Sequence, residues 1–285
     1  MHGTESVTLA DFNPIIVLMS FLISALGSGV GLSAASRARR RSGNAAWWWL
    51  GSSAVAIGGG GIWSMHFIGM LAYDAQMRFV LNIPLTLISL VVGVMATLVG
   101  LTFAIRVTGP VRFIAGGVLT GLGVCGMHYM GMYAMDMEAT MSWSPVLVAA
   151  SVALAVGAAT LALYFALTLE NHWPMALAAV VMGVGICAMH YTGMLALRLT
   201  PTNHDVTTLS GLDPYSLALP IFGIAALVIT VIFAGLFADA GQDDRLPVRP
   251  ERTSAPTARP DPYSRQAPSP SRELPTRPHR PDRPR

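Results

Sequence analysis

The sequence predicts an all-α, multi-pass membrane protein with seven transmembrane helices. Its 285 residues are 53% hydrophobic and only 12% charged, with a mean hydropathy of +0.55, which is too apolar for an ordinary soluble domain. Seven apolar stretches reach the roughly 20 residues that a helix needs to cross a bilayer. A short Met-His motif also recurs at a fixed interval in three of these stretches.

The apolar stretches and the arginines between them predict a topology. The stretches cover approximately residues 14–35, 46–73, 80–105, 113–135, 145–169, 174–197 and 215–238. An arginine cluster at residues 37–41 stands between the first and second stretches, Arg106 and Arg112 stand between the third and fourth, and an arginine-rich tail follows the seventh. The positive-inside bias assigns these arginines to the cytoplasm, with the N-terminus outside and the C-terminus inside. We therefore expect a multi-pass protein of the plasma (inner) membrane, with the lipid bilayer as its first partner.

The last 45 residues have a different composition from the rest. From residue 241 onward the chain consists mainly of Pro, Arg, Ser, Thr and Asp, which cannot bury a core. This predicts a membrane domain over residues 1–240 and a disordered cytoplasmic tail over residues 241–285. All eighteen basic residues are Arg and ten of them lie from Arg245 onward, so the net charge of +3 belongs to the tail and inner loops, and no nucleic-acid partner is expected.

Three copies of the Met-His motif define an internal repeat. The copies are Met65-His66-Phe67-Ile68-Gly69-Met70, Met127-His128-Tyr129-Met130-Gly131-Met132 and Met189-His190-Tyr191-Thr192-Gly193-Met194. The histidines are 62 residues apart each time, a length that fits two membrane helices with their loops. The chain is thus predicted to contain three parallel helix-pair repeats plus one helix. His66, His128 and His190 then lie at one depth near the outer surface, where they can converge.

Further potential ligands accompany the histidines at fixed offsets. Cys125 and Cys187 precede their histidines by three residues, with Trp63 in that place in the first repeat. A methionine follows each histidine by four residues, and a glycine precedes each by seven. These offsets predict one helical face that carries glycine, cysteine, histidine and methionine, with Gly59, Gly121 and Gly183 allowing close helix packing.

These donor types favour a copper site. Imidazole, thioether and thiolate groups suit copper, and the soft sulfur donors favour copper(I). A single histidine in a membrane helix is equally explained by a hydrogen bond, but three at one period and one depth favour a shared function. The cysteines are also explained as inert buried thiols, and any one methionine as packing. The predicted metal ligands are His66, His128, His190, Met65, Met127, Met189, Met70, Met132, Met194, Cys125 and Cys187.

Two other functions remain open for such a site. A copper transport or delivery protein would need donors along a path through the membrane, and the motif helices are mainly Gly, Ala and Val below the cysteines. A metalloenzyme with a three-histidine zinc site would ordinarily need a nearby general base. The nearest carboxylates, Asp74 and Asp136, lie beyond the motifs. We therefore expect neither enzyme activity nor catalytic residues.

The intact tetrapeptide Met189-His190-Tyr191-Thr192 resembles the motif of the MHYT family, which consists of bacterial membrane sensor domains. The resemblance covers approximately residues 14–238 and includes three such motifs on alternate helices. The first copy lacks the Tyr and Thr, and the second lacks the Thr, whereas Met and His are present in all three. The resemblance implies a copper site that senses a diatomic gas such as O2, CO or NO, or a redox state. Family members often carry cyclic di-GMP or kinase domains after the membrane part. None fits after Gly241, so the chain is expected either to signal through a separate cytoplasmic partner or to do something other than signal.

Overall fold

The computed structural model describes residues 5–74, 79–137, 139–201 and 211–243. Within these ranges, seven helices are long and apolar enough to cross a membrane, as predicted. They are α1 (Pro14–Arg40), α2 (Gly43–Leu71), α3 (Ile83–Arg106), α4 (Val111–Tyr133), α5 (Pro145–Thr168), α6 (His172–Leu195) and α7 (Pro214–Asp243). The predicted tail, apart from its first three residues, lies outside the described part of the chain.

Three of the four arginines in the cluster, Arg37, Arg39 and Arg40, belong to a helix, which corrects the predicted loop. Helix α1 continues past residue 35 to Arg40, because cations stabilise the negative end of the helix dipole and find acceptors there. Arg39 donates to the backbone carbonyl groups of Leu167 and Leu169 at the end of α5. Hydrogen bonds between the ends of α1 and α5 thus connect the helices at the basic end of the bundle, which we call the arginine end.

The opposite end, which carries the Met-His motifs, is called the motif end. Its connections form short strands, a feature that the sequence-based prediction lacked. These are β1 (Glu5–Ser6), β2 (Phe79–Leu81), β3 (Met135–Met137), β4 (Ala139–Trp143) and β5 (Leu197–Pro201). Antiparallel pairing gives one sheet in the order β1-β5-β4 and a second pair, β2-β3. The strands bury Leu81, Leu197 and Leu199, so they cover part of this end of the bundle.

Backbone hydrogen bonds at the motif end repeat with threefold regularity. The amide of Asn13 donates to the carbonyl of Ala72 at 2.8 Å, and the amide of Asn82 donates to the carbonyl of Ala134 at 2.8 Å. The amide of Ser144 does the same to Ala196 at 2.9 Å. Helices α1, α3 and α5 therefore begin beside the ends of α2, α4 and α6 respectively.

A second set of contacts closes the six helices into a ring. The indole Nε1 of Trp63 on α2 donates to the Ser89 hydroxyl on α3 at 3.0 Å. Equivalent side-chain bonds join Tyr129 on α4 to Ser151 on α5 at 2.6 Å and Tyr191 on α6 to Ser20 on α1 at 2.8 Å. Helix α1 thus packs beside α6 in the same way as α3 packs beside α2 and α5 packs beside α4. The three motif helices share a pseudo-threefold axis.

Helix α7 lies outside this ring and covers α1 and α2. At the arginine end, Asp239 of α7 accepts from Arg37 at 2.8 Å and from Arg41 at 3.0 Å. Between the two ends of the bundle, Ile229 of α7 lies so near Gly60 of α2 that a β-carbon on Gly60 would be 3.1 Å from the Ile229 side chain. The extra helix is therefore packed against the first repeat rather than inserted between repeats.

The first motif helix contains an irregular segment. Nine residues, Val55–Trp63, form a π-helix that ends three residues before His66, whereas α4 and α6 are regular α-helices. The backbone of this segment approaches its neighbours closely, because a β-carbon at Gly58 would lie 2.6 Å from the carbonyl oxygen of Gly93 on α3. Segments of this type are rare and frequently occur at functional sites.

Candidate metal centre

The three motif histidines meet on the pseudo-threefold axis. The Nδ1 atom of His66 lies 3.1 Å from that of His190 and 3.1 Å from that of His128, and the third side of the triangle measures 3.3 Å. The side chains are 0–1% exposed. The structure thus brings together the histidines that the 62-residue period placed at one depth.

The size of the triangle suits one metal ion. Plane geometry puts each Nδ1 about 1.8 Å from the common centre, close to the ~2.0 Å length of a metal–imidazole bond. Three neutral imidazoles cannot all satisfy one another through Nδ1, because each nitrogen is either a donor or an acceptor. A single cation would bind all three lone pairs at once. The residues present therefore fit a three-coordinate metal ion.

The other nitrogen of each ring faces a glycine of the next motif. A β-carbon on Gly131 would overlap Nε2 of His66, one on Gly193 would overlap that of His128, and one on Gly69 would overlap that of His190. The Nε2 atoms of His66 and His128 are buried and have no hydrogen-bond partner among the described residues, and the buried Nε2 of His190 lies against the backbone of Gly69. The motif glycine, three residues after the histidine, is thus required by the space that a neighbouring imidazole occupies.

The six predicted methionine ligands are all buried, with 0–2% exposure. Met127 packs towards α3, where its side chain would lie 3.3 Å from a β-carbon on Gly93. Met70 lies with Phe67 near the start of α7, beside Ile221. The role of Met65, Met70, Met127, Met132, Met189 and Met194 as metal ligands stays a prediction.

The two cysteines are free and do not join the histidine cluster. The group of donor atoms that lie within 4.8 Å of one another consists of the three histidines alone, among the His, Cys, Asp and Glu side chains that the structure describes. An offset of three residues rotates a side chain by about 60° from the histidine direction. Cys187 consequently contacts Ser20 of α1, on the flank of α6 rather than on the axis.

The glycines seven residues before the histidines lie on this same flank. A β-carbon at Gly121 would meet Val156 of α5, and one at Gly183 would meet Ala25 of α1. The predicted single helical face, with glycine, cysteine and histidine together, is therefore divided into two surfaces in the structure. The histidines face the axis, whereas the glycines and cysteines face the adjacent helix of the ring.

Two sets of residues that hold the histidines were not identified from the sequence. The motif glycines Gly69, Gly131 and Gly193 recur visibly, and their position after each histidine was the available signal. The serines that anchor the motif helices are harder to find. Ser89 and Ser151 share the 62-residue period, but Ser20 lies 69 residues before Ser89 because α1 joins the ring from the other end of the chain.

Comparison with known proteins gives a consistent family assignment. The family profile described as "MHYT: Bacterial signalling protein N terminal repeat" matches residues 59–117, 121–179 and 183–248. Each match begins at the glycine that precedes a motif histidine by seven residues, so the profile recovers the same three repeats. No solved structure matches this chain significantly.

Several curated bacterial signalling proteins are similar to this chain. The bifunctional diguanylate cyclase/cyclic di-GMP phosphodiesterase MucR of Pseudomonas aeruginosa is 32% identical over 229 residues, which is 78% of this chain and 33% of MucR. The cyclic di-GMP phosphodiesterase NbdA of the same species is 32% identical over 66% of this chain and 25% of NbdA. The signalling protein YkoW of Bacillus subtilis is 30% identical over 65% of this chain and 24% of YkoW.

The chain spans 24% to 33% of the length of these relatives. The matched part contains the repeats, with the membrane helices and the three buried histidines described above. A family profile that covers more than half of the residues, together with these relatives, settles the assignment. The chain belongs to the MHYT family of bacterial membrane signalling proteins.

Proposed function

We propose that this protein is a copper-dependent membrane sensor, in which His66, His128 and His190 hold one copper ion that binds a diatomic gas or responds to redox state. The observation that supports the proposal is the buried Nδ1 triangle with sides of 3.1–3.3 Å. Copper(I) held by three imidazoles would supply an open coordination position for O2, CO or NO. The protein residues fix the ring positions and exclude water.

The charge of the site favours copper(I) over zinc. No carboxylate or thiolate belongs to the cluster among the described side chains, so the ligands do not neutralise the ion. Burying a charge in apolar surroundings is costly, and the cost rises with the charge. A monovalent ion is therefore easier to hold here than a divalent one, and zinc would ordinarily also need a fourth ligand.

We propose that the signal leaves the membrane at the arginine end. Helix α2 carries His66 at one end, and α7, which packs on α2, is attached to α1 at the arginine end through Asp239, Arg37 and Arg41. The positive-inside bias assigns this end to the cytoplasm. By analogy with the named activities of MucR and NbdA, we propose that the output is a cyclic di-GMP enzyme, as a domain or a separate cytoplasmic partner. The plasma membrane is the proposed location.

Metal analysis of the purified chain tests the proposal. The protein is reconstituted with copper(I), excess metal is removed with a weak chelator, and bound copper is measured by elemental analysis. We expect about one copper per chain in the wild type, because one triangle of donors is present. His66→Ala, His128→Ala and His190→Ala should each lose the copper, since two imidazoles alone hold it weakly.

A matched control variant distinguishes loss of copper at the site from unfolding of the protein. His172 lies exposed at the start of α6, outside the cluster, so His172→Ala should keep one copper per chain. Circular dichroism checks that all variants stay helical. Retention of copper in the motif variants, preference for zinc over copper, or absence of metal in the wild type would each overturn the copper proposal. Carbon monoxide binding, followed by infrared spectroscopy of the loaded protein, then tests gas sensing.

A further inference from the structure

A cavity of about 50 Å³ lies below the histidines, on the side of the arginine end. Three of its lining residues, Ile62, Val124 and Ile186, each precede a motif histidine by four residues, which is about one helical turn. Together with Met189, which directly precedes His190, they line the cavity with apolar side chains. The cavity is therefore next to the axis of the three motif helices and one turn from the metal centre.

The chemistry of the lining selects an apolar occupant. The only polar side chains among the lining residues are Thr97 and Thr120. The Thr97 hydroxyl already donates to the carbonyl of Gly93 at 2.9 Å, which leaves Thr120 without a partner in the described part of the chain. A buried water needs two to four polar partners, so one free hydroxyl does not hold it well. Dry apolar cavities in proteins bind small nonpolar molecules.

Access to the cavity is easier from the bilayer than from the motif end. On the motif side, the three histidines and the methionines after them are 0–2% exposed, and the strands add further cover. On the other side, the wall between α5 and α6 consists of small residues, Ala158, Ala159, Ala162 and Gly185, which are only partly buried. Nonpolar gases partition into hydrocarbon, so the bilayer is a reservoir for them at this wall.

We propose that the cavity binds a small apolar molecule that enters from the bilayer between α5 and α6. Bound there, the molecule lies one helical turn from the three histidines. The class of ligand follows from the size and lining of the cavity. The further step of identifying this apolar molecule with the sensed diatomic gas rests on the function proposed for the histidine site. The route differs from arrival of the ligand through the outer aqueous face.

Xenon is the probe for this cavity, because it is apolar and binds without any metal. Xenon NMR is recorded on the full chain in nanodiscs, with wild type, Ala159→Leu and Ala153→Leu compared. Ala159 lines the cavity, whereas Ala153 lies on the exposed surface of the same helix. We expect a protein-bound xenon signal in the wild type and in Ala153→Leu, and its loss in Ala159→Leu. The smaller change Ala162→Val should weaken the signal, and provides a second test if Ala159→Leu folds poorly.

Bound copper, measured on the same samples, keeps the two proposals distinguishable. Xenon binding without copper would overturn the metal site and leave the cavity standing. Copper without a bound xenon signal in the wild type would overturn the cavity proposal, as would an unchanged signal in Ala159→Leu. With both present, the rate at which carbon monoxide reaches the copper should fall in Ala159→Leu and stay unchanged in Ala153→Leu. An equal rate in the two variants would overturn the bilayer route.

Discussion

The first repeat and the other two position their histidines in the same way with different residues. In the second and third repeats, a tyrosine after the histidine bonds to a serine on the next helix of the ring. The first repeat has Phe67 there, which has no hydroxyl. Trp63, four residues earlier, supplies the hydrogen bond to Ser89 instead, and its ring packs on Phe67 with centroids 4.7 Å apart. The anchor between motif helix and neighbour is therefore retained although the residue that provides it has moved.

The backbone differs between the repeats as well. The π-helical segment Val55–Trp63 precedes the histidine only in the first repeat, and the first repeat is also the one that α7 covers. A π-helix changes the direction of the side chains that follow it, yet His66 still meets His128 and His190. The comparison teaches that histidine placement, and the glycine that each ring faces, are the shared requirements, while the supporting contacts vary.

The largest effect is expected for a change in a shared feature. Gly131→Ala would place a β-carbon on the position of the His66 imidazole, so the ring must leave the triangle. We expect loss of bound copper and a destabilisation of about 1–3 kcal/mol, the usual cost of overpacking. Elemental analysis and thermal unfolding measure the two effects.

Gly126→Ala on the same helix is the matched control. A β-carbon there would have open space around it, so copper binding and stability should be retained. Gly69→Ala and Gly193→Ala should behave like Gly131→Ala in spite of the differences between repeats. Retention of copper in any of the three would contradict the idea of a shared requirement.

The next largest effect is expected where the repeats differ. Trp63→Phe removes the donor to Ser89 and leaves space beside Phe67, at a cost of about 2 kcal/mol. Tyr129→Phe removes only a hydrogen bond, at a cost of about 1 kcal/mol. Chemical unfolding in mixed micelles measures both free energies.

A rescue variant sharpens this comparison. Adding Phe67→Tyr to Trp63→Phe places a phenol opposite Ser89, as Tyr129 stands opposite Ser151. We expect part of the lost stability to return, because the bond of the other repeats is recreated in the first. Failure of the double variant to recover any stability would show that the tryptophan acts through its size alone.

The contrast between repeats also explains how far the sequence could predict the structure. Seven helices and the meeting of the histidines follow from apolar length and a 62-residue period, which are properties of the whole repeat. The closure of the ring by α1 was not predicted, because the Tyr191–Ser20 contact joins residues 171 positions apart and no local pattern encodes it. The π-helical segment coincides with the close approach of Gly58 to Gly93 on α3, a tertiary contact that no local pattern encodes. The strands at the motif end follow from pairing between distant loops.

A smaller effect is expected at the arginine end, where α7 is attached. Asp239→Asn weakens the ion pairs with Arg37 and Arg41, which are partly exposed, and should cost about 0.5–1 kcal/mol. Glu170→Gln is the control, because its pair with Arg40 is longer, at 3.6 Å, and both side chains are mostly exposed. Thermal unfolding should separate the two variants, with copper binding retained in both. Equal stability of the two variants would show that the attachment of α7 contributes no more than a surface pair.

No loss of copper and at most a packing cost are expected for changes in the cysteines, which only the second and third repeats possess. Their sulfur atoms are not among the donors that converge on the axis, and the first repeat presents His66 with Trp63 in the equivalent place. The double variant Cys125→Ala, Cys187→Ala should therefore retain one copper per chain, with at most a packing cost of about 1 kcal/mol from the lost sulfur contacts. Elemental analysis and competition with a copper(I) chelator measure stoichiometry and affinity. A large drop in copper affinity would mean that the flank of α4 or α6 turns towards the axis when the metal binds. The second and third repeats would then contribute cysteine ligands that the first repeat, with Trp63 in that place, lacks.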